Sequence, residues 1–141
     1  MDAVVDASAI LCAYFPDELS SKAKKLMLDY ALGRTNLFGP RLLALELINA
    51  CLVASRRRRI NDEVFIKTAK EITALQIAWI DVEQEAERIF SLSRKYQISA
   101  YDTAYIAAAQ IKGCELFTAD QRLHNAVKKD LKFVRLLSEY P

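Results

Sequence analysis

The sequence predicts an α/β protein whose parallel sheet carries helices on both faces. Three observations lead there. Short apolar runs alternate with helical stretches along the chain, the pattern of parallel strands joined by crossover helices. The first run, Ala3-Val4-Val5, is apolar without alternation, as in a strand buried on both faces. Hydrophobic residues form 52% of the 141 positions, enough for one sizeable core, and residues 1–141 read as a single domain.

In chain order, Asp6 ends the first strand, and Ser8 can start a short helix through Phe15, broken by Pro16-Asp17-Glu18. Ser20 to Leu32 is amphipathic, with Ala23, Leu26, Met27 and Tyr30 on one face and Lys22, Lys25 and Asp29 on another. Gly33 ends it. Asn36-Leu37-Phe38 reads as a second strand. Gly39-Pro40 opens an apolar helix, Leu42 to Ala54, with proline near the first turn. Asn61 can cap a helix from Asp62 to Leu75, and residues 77–80 read as a third strand. Val82 to Tyr96 is an amphipathic helix carrying Ala86, Ile89, Phe90 and Ser93. Ser99 caps a helix running to Ile111, which Gly113 ends. A fourth strand, 115–118, a short helix, 123–129, and a last strand, 133–137, complete the chain.

Composition narrows the function. A net charge of +2 argues for no particular partner, and a mean hydropathy of +0.04 fits a compact fold. Cys12, Cys51 and Cys114 are an odd set at wide spacings, expected as reduced core thiols in a reducing, cytoplasmic compartment. The first residues have neither the basic nor the apolar region of a secretory signal. No apolar run reaches the ~18 residues a membrane span needs. His124 is the one histidine, which excludes a multi-histidine metal site. The three glycines form no phosphate-cradling loop.

Four acids stand in or against apolar sequence: Asp6, Glu46, Asp102 and Asp120. Asp6 and Asp120 each follow a strand, and Glu46 lies near the start of the helix after the second strand. In open parallel sheets, ligands gather beyond the carboxyl ends of the strands, so three acids reach one edge. Asp102 has no such placement, because two helices separate the third and fourth strands. Structural alternatives stand beside each acid. Asp102 could be a helix-start acid favoured by the dipole. Glu46 could face solvent or pair with Arg41 or another arginine. Asn49, one turn on, could line the same face as Glu46. Carboxylates gathered without histidine suit a hard cation, Mg²⁺ or Mn²⁺, which takes oxygen ligands and acts with substrate phosphates. The chemistry expected is metal-assisted phosphodiester hydrolysis. The run Arg56-Arg57-Arg58-Arg59 is either a solvated helix end or a phosphate-binding patch.

These residues together resemble PIN-domain ribonucleases, among them the VapC-type toxins of type II toxin–antitoxin pairs. The resemblance is carried by Val4-Val5-Asp6-Ala7-Ser8, by Glu46 in its apolar helix, by Ala100-Tyr101-Asp102-Thr103-Ala104-Tyr105, and by Leu116-Phe117-Thr118-Ala119-Asp120-Gln121-Arg122-Leu123. Four motifs in this order span the chain. The resemblance implies a five-stranded parallel sheet in a three-layer α/β/α fold. It implies an acidic, metal-binding and catalytic site of Asp6, Glu46, Asp102 and Asp120, with Ser8 and Thr118 as supporting hydroxyls. It further implies Mg²⁺-dependent RNA cleavage, a homodimer, and inhibition by a small cognate antitoxin. Relatives often carry one or two arginines and a glycine where this chain has Arg56–Arg59, and here no glycine appears.

Two other classes compete with a nuclease. A catalytically silent PIN-like module binding RNA or protein would be expected to have lost an acid, and this set is intact. An aspartyl-phosphate phosphotransfer domain also places Asp after its first strand. A phosphatase of that kind would want a second Asp where Ser8 stands, and a receiver would want Lys where Arg135 lies inside its strand.

Overall fold

The computed structural model describes residues 1–15 and 19–141. The described strands are β1 (Asp2–Val5), β2 (Asn36–Gly39), β3 (Ala78–Trp79), β4 (Glu115–Thr118) and β5 (Val134–Leu136). The described α-helices are α1 (Ala7–Leu11), α2 (Ser20–Ala31), α3 (Leu42–Arg56), α4 (Asp62–Thr73), α5 (Ala86–Tyr96), α6 (Ala100–Lys112) and α7 (Gln121–Val127). The strands form one sheet in the order β3-β2-β1-β4-β5, and every pairing is parallel. This is the expected α/β fold with a five-stranded parallel sheet between helical layers.

The centre of the sheet is the most apolar part of the molecule. Ala3, Val4, Val5, Leu116 and Phe117 are at most 1% exposed, which explains why β1 reads as an unbroken apolar run. On α6 every residue from Thr103 to Ala109 is buried. Its alanines let the helix lie close on β1, β2 and β4, with α5 packed outside it. On the other side α1 meets β4, α2 and α3, and α3 meets α4.

Local signals set most element ends. Asn61 caps α4 by accepting from the Val64 N–H at 2.8 Å, and Ser99 caps α6 by accepting from the Asp102 N–H at 3.0 Å. Gly33 and Gly113 follow α2 and α6 with φ of 68° and 71°, the left-handed conformation glycine adopts at least cost.

Some expectations are corrected. The cap of α1 is Asp6, not Ser8, and the helix ends at Leu11 rather than Phe15. The expected break at Pro16-Asp17-Glu18 falls outside the described residues. The third and fifth strands are shorter than expected, because each is an edge strand with one neighbour. Asp29, placed on the polar face of α2, is buried at 8% exposure. Phe90 of α5 points outward at 77% exposure, while Ile89, Leu92 and Tyr96 meet the core. Arg58 takes up φ 55°. A non-glycine residue thus holds the left-handed turn position after α3, at a cost of roughly 1–2 kcal/mol.

Candidate active site

Strand order creates the site. From β1 the chain builds outward to β2 and β3, then returns to place β4 on the other flank of β1. Ligand crevices form at the carboxyl end of such a reversal. Val5 pairs with Phe117 across it, so Asp6 and Thr118 emerge side by side. Helix α6 runs into β4 through Gly113 and Cys114 alone. A helix lying on the sheet and joined so tightly to the next strand must run antiparallel to it. Its first turn, carrying Asp102, therefore reaches the same edge.

A cleft of about 590 Å³ opens there, lined by Asp6, Glu46, Asp102 and Asp120 together with Ser8, Asn49, Arg59 and Tyr105. Asp6 is the most enclosed acid, at 7% exposure. Its Oδ1 accepts from the Ser8 hydroxyl at 2.6 Å and from the Ala9 N–H at 3.0 Å, and its Oδ2 accepts from the Thr118 hydroxyl. Ser8 in turn accepts from the Ala119 N–H at 2.9 Å, and Thr118 from the Asp120 N–H at 2.9 Å. Asp120 caps α7 through the N–H groups of Arg122 and Leu123, at 2.8 and 3.1 Å. Each hydroxyl is thus fixed by a backbone donor, and among the described residues Asp6 is held by neutral groups alone.

Neutral donors do not offset the loss of water. Burial pushes the Asp6 carboxyl up to about 6, against the hydrogen bonds from Ser8, Thr118 and Ala9 and with a further push from the Asp120 charge. Burial also raises Asp102, with Asp120 adding repulsion. Glu46 is raised by burial first and by Asp102 as well. The repulsions link all four acids into one electrostatic group.

Glu46 does not pair with Arg41, which meets Asp81 at 3.4 Å instead. Its carboxylate accepts from the hydroxyl of Tyr105, a side chain 2% exposed. Burial and the Glu46 charge push the Tyr105 phenol far above its ordinary range, so it stays a proton-bearing donor. Sequence reasoning gave Tyr105 no role. The available signal was its spacing, one helical turn after Asp102 and hence on the same face, together with the need of a buried tyrosine for a polar partner. Of the arginine run, Arg59 lines the cleft and its guanidinium lies 5.9 Å from the centre of the Phe15 ring. Arg56, Arg57 and Arg58 are exposed elsewhere. His124 lies apart, beside Lys128 and Arg135.

The donor set suits a hard cation: carboxylate oxygens from three helix starts and one helix interior, beside an amide and no histidine. Among the described residues, no three carboxylate, histidine or cysteine side chains are gathered as a ready-made cage.

Comparison with known proteins agrees with this architecture. Residues 3–129 match the family described as PIN domain. The chain is 30% identical over 128 residues to Ribonuclease VapC3 of Pyrobaculum aerophilum, covering 87% of this chain and 92% of that one. It is also 30% identical over 120 residues to Ribonuclease VapC9 of Mycobacterium tuberculosis, covering 85% of this chain and 87% of the relative. In fold it resembles the crystal structure of PAE2754 from Pyrobaculum aerophilum, with a TM-score of 0.63 at 18% identity, over 98% of this chain and 93% of that one. The chain belongs to the PIN domain family.

Proposed function

We propose that this protein is a toxin-type endoribonuclease that cuts RNA phosphodiesters with the help of Mg²⁺ or Mn²⁺, its whole chain working as one domain. The observation that carries the reading is the meeting of Asp6, Glu46, Asp102 and Asp120 in one cleft at the strand reversal. The ribonuclease names of the relatives that match most of the chain support it.

Each side chain has a task in this reading. Asp6, Glu46, Asp102 and Asp120 would hold the cation. Bound there, it would lower the pKa of water and draw charge from the phosphate oxygens. Ser8 and Thr118 keep the Asp6 oxygens aimed, and among the described residues no cationic side chain pairs with its charge. Arg59 stands at the cleft wall where a flanking phosphate would pass. A small cognate antitoxin, a homodimeric assembly and a cytoplasmic location belong to the same proposal. The antitoxin is suggested by the VapC names of the relatives, the homodimer by the resemblance of the four motifs to VapC-type toxins, and the location by the three widely spaced cysteines. Among the described residues no helix is long and apolar enough to cross a membrane.

The test is direct. Purified protein should cut single-stranded RNA in Mg²⁺ or Mn²⁺ and stop when EDTA is added. Cleavage that persists in EDTA and disappears in His124→Ala would overturn the reading.

A further inference from the structure

We propose that Tyr105 is a positioning residue that aims the Glu46 carboxylate into the cleft. The proposal rests on the cation-assisted reading of the site. Tyr105 and Glu46 stand 59 residues apart on α6 and α3. Those helices belong to different layers: α6 packs on β1, β2, β4 and α5, whereas α3 packs on α1 and α4. The Tyr105–Glu46 hydrogen bond therefore ties the two layers together across the cleft.

The direction of that bond is set by the acceptor. An ionised carboxylate has no proton to give, so the phenolic O–H donates to Glu46. Glu46 Oε2 accepts that proton, and among the described residues this carboxylate has no other hydrogen bond, so Oε1 is left for the cleft. The Glu46 side chain has three rotatable bonds, and Asp102 repels it. Without the hydroxyl, the carboxylate would swing toward solvent and away from Asp102. One phenol thus references the Glu46 wall to α6, whose first turn carries Asp102. Partners of this kind, behind metal-binding carboxylates, typically change metal affinity 10–100-fold when removed.

Tyr105→Phe removes the hydroxyl and keeps the buried ring. Binding of Mn²⁺ alone, followed by calorimetry, should weaken roughly 10–100-fold. The Mn²⁺ concentration for half-maximal RNA cleavage should rise by a similar factor, with KM for RNA at saturating Mn²⁺ unchanged. Because Tyr105 acts through Glu46, adding Tyr105→Phe to Glu46→Gln should cost nothing more. Glu46→Asp offers a second route, since it keeps the charge and withdraws it from the phenol; it too should lose affinity. Tyr105→Phe binding Mn²⁺ like wild type, or its effect adding fully to that of Glu46→Gln, overturns the positioning role while leaving the nuclease reading intact. A wild-type chain that binds no Mn²⁺ overturns both.

Discussion

Asp6 and Asp29 are hidden to the same degree, at 7% and 8% exposure, yet their carboxyls shift in opposite directions. Asp6 meets two hydroxyls and an N–H, and burial drives it up to about 6. Asp29 accepts from Lys25 at 2.8 Å, from the Tyr140 hydroxyl at 3.1 Å and from Arg34 at 3.5 Å. The Lys25 hydrogen bond above all holds it below the ordinary carboxylate range. One aspartate is paired with cations, and the other faces further acids. The pairing at Asp29 locks residues of α2 to the end of the chain, where Tyr140 also bonds Thr35 at 2.8 Å and stands edge-on to Phe117 at 5.3 Å. A hidden carboxyl is therefore driven up where only neutral donors meet it and held down where a cation does.

The largest expected difference is in activity. Asp6→Asn should lower RNA cleavage roughly 10²–10⁴-fold, the range for losing a group that acts on the reacting atoms. Asp29→Asn should leave the activity of the folded protein intact and lower its melting temperature. Equal loss of activity in the two variants, measured on protein verified as folded, would break the distinction.

Opposite pH slopes should follow. The folded Asp6 pKa of about 6 lies above its ordinary 3.8, so between those values the native state binds more protons. Stability of the metal-free protein should fall as pH rises through that window, by about 3 kcal/mol in total for a shift of roughly two units. Asp29 works the other way: its contribution is complete above the ordinary carboxylate pKa and is lost as pH falls below it. Urea unfolding in EDTA from pH 4 to 7 should show the first slope in wild type and a flatter one in Asp6→Asn. A wild type equally stable across that range would refute the strain assigned to Asp6.

The Asp29 side of the comparison can be sharpened through Tyr140. Tyr140→Phe leaves Thr35 without its hydroxyl partner and Asp29 with its cations alone. Unfolding free energy should drop by about 1–2 kcal/mol, with cleavage per folded molecule unchanged.

The smallest effect concerns the arginines. Arg59→Ala should reduce the log–log salt slope of single-stranded RNA binding by about 0.7, the value for one lost phosphate contact. Arg57→Ala should move it less, since Arg57 does not line the cleft. Equal slopes for the two variants would return the whole run to a solvated helix end.

The elements whose signals are local were legible in the sequence. Ser99 and Gly113 bracket α6 because a cap is a bond between residues three apart and a left-handed turn is a property of one residue. Ala3-Val4-Val5 reads as a central strand because both of its faces are buried. Asp6 and Asp120 could be set at one edge because each follows directly on a strand of a parallel sheet. What tertiary structure alone decided are meetings between distant parts of the chain. Asp29 looked like surface because the residue that buries it, Tyr140, lies 111 positions on. Counting elements could not place Asp102, since its placement depends on α5 packing outside α6 rather than on the sheet. Tyr105 meets Glu46 across two helical layers, and among four consecutive arginines the path of the turn brings Arg59 to the cleft. A single sequence carries periodicity and caps in its own short-range order, whereas the partners of a buried charge are chosen by how the layers close.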